Sequence, residues 1–139
     1  MDGESKVILI EDNSGDVKLI NFALRNMEHP PELLHFDYGR DFINWAVENG
    51  LEDVALILLD FNLPMLNGQD IMHLVNEKFG DARPPVVILS SSCSPVDIKK
   101  SYALGANAFV AKPVELDDFC NTIETTIKFW CDLNLLTAQ

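Results

Sequence analysis

A chain of 139 residues fits one ordinary domain, long enough to bury roughly 70% of the surface its unfolded form exposes without any covalent staple. Its 10 Lys and Arg against 22 Asp and Glu give a formal net charge of −12, which opposes binding to nucleic acid or an anionic membrane and favours a basic partner surface. The three cysteines, Cys93, Cys120 and Cys131, form no CxxC pair and have no histidine at metal-ligand spacing, so they are expected to be small buried residues in a reducing compartment.

The start, Met1 to Lys6, is short and acidic, and the apolar run behind it, Val7 to Ile10, is too short for a signal peptide or a membrane span. A cytoplasmic location is the expectation. No repeat, low-complexity tract or linker divides the chain. One domain over residues 1–139 is therefore expected, with a core of about residues 6–131 and a short apolar extension after it.

Val7-Ile8-Leu9-Ile10 predicts a first strand, closed by the acids Glu11-Asp12. Asn13-Ser14 or Asp16 starts a helix whose buried stripe is Val17, Ile20, Leu24 and Met27, and His29-Pro30-Pro31 ends it. Leu33 to Phe36 predicts a second strand. A second helix follows, with Phe42, Ile43, Trp45, Ala46 and Val47 towards the core and a stop at Asn49-Gly50.

Ala55 to Leu59 shows no polar alternation, the pattern of a parallel strand covered on both faces, and it ends abruptly in Asp60. Pro64 prevents the ladder from continuing. Ile71, Leu74, Val75 and Phe79 mark a third helix, and Val86 to Leu89 a fourth strand that ends in Ser90-Ser91-Ser92. Ser94-Pro95 caps a more polar helix carrying Val96, Lys99 and Tyr102. Ala108 to Ala111 is a fifth strand ending in Lys112-Pro113, and Leu116, Phe119, Cys120, Ile123, Ile127 and Trp130 line a long last helix.

Strands alternating with helices over short connections predict a parallel sheet with helices on both faces, an α/β fold. All strand ends then lie on one edge, where open α/β folds bind ligands. Glu11, Asp12, Asp60, Ser90 and Lys112 converge there. Three carboxylates in one pocket repel one another and call for a cation. Mg²⁺, which takes oxygen ligands and keeps several waters, suits a shallow acidic pocket better than Ca²⁺. One carboxylate can then attack phosphorus, with Lys112 neutralising the phosphoryl oxygens.

On this set, an acidic pair, an Asp before a proline loop, a Ser ending strand four and Lys-Pro after strand five, the chain resembles the receiver domain of bacterial two-component response regulators over nearly its whole length. The resemblance implies a doubly wound (βα)5 flavodoxin-like sheet with strand order 2-1-3-4-5. It implies that Asp60 accepts a phosphoryl group from a histidine kinase or histidine phosphotransfer protein, the chain being a phosphoacceptor and not an enzyme. Asp12 and Asp60 would bind Mg²⁺ through their carboxylates, Glu11 would act through water, and the backbone carbonyl of Asn62 would supply a further ligand. Lys112 would contact the phosphoryl group, and Ser90 with Phe109 would form the switch that remodels the face of helix four, strand five and helix five. Asn62 and Ser92 would tune the lifetime of the acyl phosphate. Glu11, Ser90 and Phe109 stand where Asp, Thr and Tyr are more frequent.

Against this stand plainer readings. An Asp after a strand often only caps a turn, Ser90 alone reads as a loop residue, and Lys112 alone as an exposed lysine. The bond before Pro113 is a candidate for the cis form, which about 5–6% of X–Pro bonds adopt. His29, His35 and His73 share no ligand spacing and are expected to be structural or solvated, and Trp45 and Trp130 to pack. An Asp-nucleophile phosphohydrolase would want a second acid two residues after Asp60, where Asn62 stands. A pseudo-receiver that binds partners without being phosphorylated is the other alternative, against which the full set of residues argues. The apolar segment Phe129 to Leu136 either packs as a last helical turn or forms a homodimer contact. That ending, the Ser-rich stretch after strand four and Leu104-Gly105-Ala106-Asn107-Ala108 resemble the stand-alone receivers that serve phytochrome-type kinases.

Overall fold

The computed structural model describes residues 5–134. The elements alternate: β1 (Lys6–Ile10), α1 (Ser14–Arg25), β2 (Glu32–Phe36), α2 (Gly39–Asn49), β3 (Val54–Asp60), α3 (Gly68–Phe79), β4 (Val86–Ser90), α4 (Pro95–Ala103), β5 (Ala108–Ala111) and α5 (Leu116–Lys128). A 3₁₀ turn, Gly80–Ala82, follows α3, and a π-helical turn, Phe129–Leu133, continues α5. The five strands form one sheet in the order β2-β1-β3-β4-β5, and every pairing is parallel.

The apolar runs of β1, β3 and β4 split between two cores because successive side chains leave opposite faces of a strand. Ile8, Ile10, Ile57, Leu59, Val86 and Ile88 pack against Phe42, Ile43 and Ala46 of α2 and Ile71, Met72 and Val75 of α3. Val7, Leu9, Leu56, Leu58, Val87 and Leu89 pack against Ile20, Ala23 and Leu24 of α1 and Phe119, Ile123 and Ile127 of α5. Each such side chain contributes about 1.5–3 kcal/mol when fully buried. A one-residue slip of a central strand would swap its side chains between the two cores and move the residue at its carboxyl end away from the sheet edge.

The helix starts follow capping chemistry. Asn13 is the cap of α1, its side chain accepting from the Asp16 N–H, while Asn67 and Asp70 form a capping box on α3. Ser94 caps α4, with Pro95 in the first turn. Gly50 ends α2 at φ 80°, a conformation that costs glycine little.

Several expectations require correction. Val47 is 60% exposed, because the buried stripe of α2 runs through Phe42, Ile43 and Ala46 and leaves Val47 beyond its edge. Leu116, the first residue of α5, is 54% exposed, and the buried face begins one turn later at Phe119. Met27 is buried but lies past the end of α1. Cys93 is exposed on the β4–α4 loop, whereas Cys120 and Cys131 are half-buried against the α1–α5 core. The Lys112–Pro113 bond is trans, as is every peptide bond among the described residues. Leu135 and Leu136 of the apolar ending lie outside the described residues. No helix among those residues is long and apolar enough to cross a membrane.

Candidate functional site

Backbone ladders bring the chemistry-bearing residues to the carboxyl edge of the sheet. The Glu11 N–H donates to the Phe36 carbonyl at 3.0 Å and extends the β1–β2 pairing by one residue. Asp60 is the last residue of β3, and the next N–H, on Phe61, donates to Leu89 of β4 at 3.2 Å. The Lys112 N–H donates to the Ser90 carbonyl at 2.9 Å, so the lysine leaves the sheet beside the end of β4. Glu11, Asp60 and Ser90 are buried there, and Asp12 is exposed.

One carboxylate oxygen from each of Glu11, Asp12 and Asp60 lies within 4.8 Å of the others. These are hard oxygen donors, and their close approach is unfavourable without a cation. Burial, with the neighbouring Asp60 charge, pushes the Glu11 carboxyl up to about 7 against the opposing pull of Lys112. Three such groups open to solvent on the Asp12 side fit a hard divalent ion that retains waters.

Lys112 is the cation the chain itself supplies. Its side chain is 8% exposed, with Nζ 2.7 Å from Glu11 Oε1, 3.0 Å from Asp16 Oδ2 and 3.7 Å from Asp60 Oδ1. Burial acts to lower its pKa, but the hydrogen bonds to Glu11 and Asp16 and the charges of Glu11 and Asp60 outweigh this and raise it. Lys112 is therefore a fixed positive charge.

Asp16 has no place in the site as read from the sequence, where it is only a possible helix start. Its signal is its place in the first turn of α1, a helix that starts directly after the Glu11-Asp12 strand end. His35 is structural, as expected. Its Nε2 lies 2.7 Å from the Glu11 carbonyl and 3.3 Å from Asp37 Oδ1, tying β2 to the end of β1.

The predicted switch residues are engaged elsewhere in this structure. Ser90 Oγ donates to the Ser92 carbonyl at 2.7 Å and accepts from the Ser92 N–H at 3.1 Å, closing its own loop. Phe109 is half-buried, and its ring packs on Phe61, the residue after Asp60, at 6.0 Å between centroids and 57° between planes. The Phe109 N–H donates to the Tyr102 hydroxyl of α4 at 3.1 Å. The Asn62 N–H approaches Asp60 Oδ1 at 3.3 Å.

A 2-1-3-4-5 parallel sheet carrying an acidic trio, a serine and a buried lysine on its carboxyl edge defines a signalling receiver fold with its acidic pocket intact. The family model of the response regulator receiver domain matches residues 7–124, and the chain belongs to that family. Response regulator Rcp1 of Synechocystis sp. is 27% identical over 136 residues, covering 95% of this chain and 92% of Rcp1. The two-component response regulator ARR16 of Arabidopsis thaliana is 31% identical over 127 residues, 84% of this chain and 77% of the plant protein. Among solved structures, the phosphorylated cyanobacterial phytochrome response regulator RcpA superposes with a TM-score of 0.88 at 30% identity, covering 98% of this chain and 100% of that one. The Mn²⁺-bound form of Rcp1 gives 0.85 at 27% identity, covering 96% and 99%.

Proposed function

We propose that this chain is a phosphoacceptor in two-component signalling, modified on Asp60 by a histidine kinase or a histidine phosphotransfer protein. The observation that carries the reading is the buried Lys112 ammonium 3.7 Å from a carboxylate that shares its pocket with Glu11 and Asp12. An Asp60 oxygen attacks the donor phosphorus. The new bond is Asp60 Oδ–P, and the bond from phosphorus to the donor's nitrogen or oxygen breaks, the leaving group taking the electron pair.

Glu11, Asp12 and Asp60, with the carbonyl of Asn62, would hold Mg²⁺, whose charge offsets that of the phosphoryl oxygens and of the carboxylate cluster. Support for a divalent ion comes from the clustered oxygens and from the Mn²⁺-bound relative. Lys112 screens the transferred group. In the modified state Ser90 gives up its bond to Ser92 and donates to a phosphoryl oxygen, and the Phe109 ring follows it inward. The face of α4, β5 and α5, with Val96, Tyr102 and Val114 exposed, is read by a partner protein. Phe129 and Leu133 are exposed beyond α5 and offer the surface for a homodimer. The whole chain acts as one receiver in this reading, and the −12 charge favours a basic partner surface over nucleic acid.

The test is intact mass after incubation with Mg²⁺ and acetyl phosphate, for wild type and Asp60→Asn, followed by sizing. The expected result is a Mg²⁺-dependent, hydroxylamine-labile gain of one phosphoryl group that is absent in Asp60→Asn. No adduct with any donor or candidate kinase would make the chain a pseudo-receiver.

A further inference from the structure

We infer that Asp16, which rests on the phosphoacceptor reading of the pocket, is a positioning residue that withholds Lys112 from the acceptor and so limits how tightly the site holds a phosphoryl group. An acid in the first turn of a helix is ordinarily explained by the helix dipole and points to solvent. Asp16 differs. Its side chain is only 22% exposed, and Oδ2 lies 3.0 Å from Lys112 Nζ.

The lysine has three N–H directions. Glu11 at 2.7 Å and Asp16 at 3.0 Å each take one, while Asp60 at 3.7 Å lies beyond hydrogen-bond length. In the ground state the ammonium is thus bonded to two acids that do not receive the phosphoryl group. Of these, Glu11 belongs to the carboxylate trio and would share its charge with a divalent ion held there. Asp16 is outside the trio, and its hold on Lys112 persists through the reaction.

The cap geometry of α1 makes this hold rigid. Asn13 Oδ1 accepts from the Asp16 backbone N–H at 2.9 Å, fixing the turn that carries the carboxylate. Because that bond uses the backbone of Asp16, replacing the side chain leaves the cap intact. Asp16 also adds a negative charge beside a pocket that must admit an anionic donor, so it opposes phosphorylation both through Lys112 and through direct repulsion.

The experiment compares wild type, Asp16→Asn and Asp16→Glu with acetyl phosphate and Mg²⁺. It follows the donor dependence of phosphorylation, the maximal rate, and the decay of the adduct by intact mass. In Asp16→Asn the half-saturating donor concentration is expected to fall and the adduct lifetime to rise, each by about three- to tenfold, the scale of one charge-assisted contact in a partly buried site. The maximal rate should change less than either, a split that general loosening of α1 would not produce. Asp16→Glu, which keeps the charge, should return both values towards wild type. Asp16→Asn within twofold of wild type in both would overturn the inference, and so would slower phosphorylation, which would mean that Asp16 delivers the lysine. Absence of any adduct on the wild type would overturn the phosphoacceptor reading itself.

Discussion

Lys112 and Glu11 form an ion pair of 2.7 Å between side chains that are 8% and 0% exposed. Breaking such a pair from one side leaves a buried charge without its partner, typically at a cost of about 3–5 kcal/mol. The opening of the pocket to solvent on the exposed Asp12 side softens the loss here. Lys112→Met should therefore destabilise the metal-free protein by about 2–3 kcal/mol in urea denaturation at pH 8. Lys112→Met with Glu11→Gln should recover most of that, because a neutral amide needs no cation.

The same burial makes the site pH-sensitive. Glu11 titrates near 4.5 when unperturbed and about 7 in the fold, so the native state binds more protons than the unfolded one between those values. Its contribution to stability is fully present below 4.5 and is lost as pH rises through about 7. A divalent ion requires the carboxylate form, so the effect of Mg²⁺ has the opposite sense. The rise in Tm caused by Mg²⁺ should be small at pH 6 and large at pH 8. Proton release on Mg²⁺ binding, measured by calorimetry in two buffers of different ionisation enthalpy, should disappear in Glu11→Gln.

The sheet, its helices and most of the pocket are legible in the sequence because they rest on short-range rules. Unbroken apolar runs mark β1, β3 and β4, and each run stops at the residue the sheet delivers to its edge: Glu11, Asp60 and Ser90. What escapes is set by orientation within a helix or loop. Asp16 looks like a capping residue until the first turn of α1 is seen facing Lys112, 96 residues away in the chain. Val47 and Leu116 look like core until the edges of the buried stripes are located. Ser90 is found by position, but its bond to Ser92 depends on the path of a loop.

The β3–α3 loop is held by close backbone contact at Gly68. Its N–H donates to the Phe61 carbonyl at 3.1 Å, and a Cβ built there would lie 3.0 Å from both Cα and O of Phe61. Those are backbone atoms one residue beyond Asp60 and cannot swing aside. Gly68→Ala should lower stability by about 1–3 kcal/mol, as overpacking does, and, on the proposed phosphoacceptor reading, should slow modification of Asp60 because the strain falls on the loop that follows it. Thermal denaturation and acetyl phosphate kinetics on the same preparation check both effects, with exposed Gly80→Ala as the comparison: no atom stands within 4 Å of the Cβ at that site, and its φ of 53° alone sets the cost.

β5 is an edge strand, and its Phe109 N–H would lack a strand partner on that side without the Tyr102 hydroxyl at 3.1 Å. Phe109 also packs its ring at a tilt against Phe61, so Tyr102 links α4 to a ring pair that begins one residue after Asp60. Tyr102→Phe removes the acceptor while keeping the ring. Loss of one hydrogen bond of this kind costs about 0.5–1.5 kcal/mol, and the cost should be local because α4 buries little besides Ser101. Amide exchange at Phe109 should accelerate about tenfold, the equivalent of roughly 1.4 kcal/mol, while amides in β1 and β3 keep their protection. Unchanged exchange at Phe109 would mean that the hydroxyl bond adds nothing to the pairing of β5 with β4. If Tyr102→Phe also shortens or lengthens the acyl phosphate lifetime, the bond lies on the route between Asp60 and the α4 surface. If only exchange changes, the bond serves as an edge cap alone.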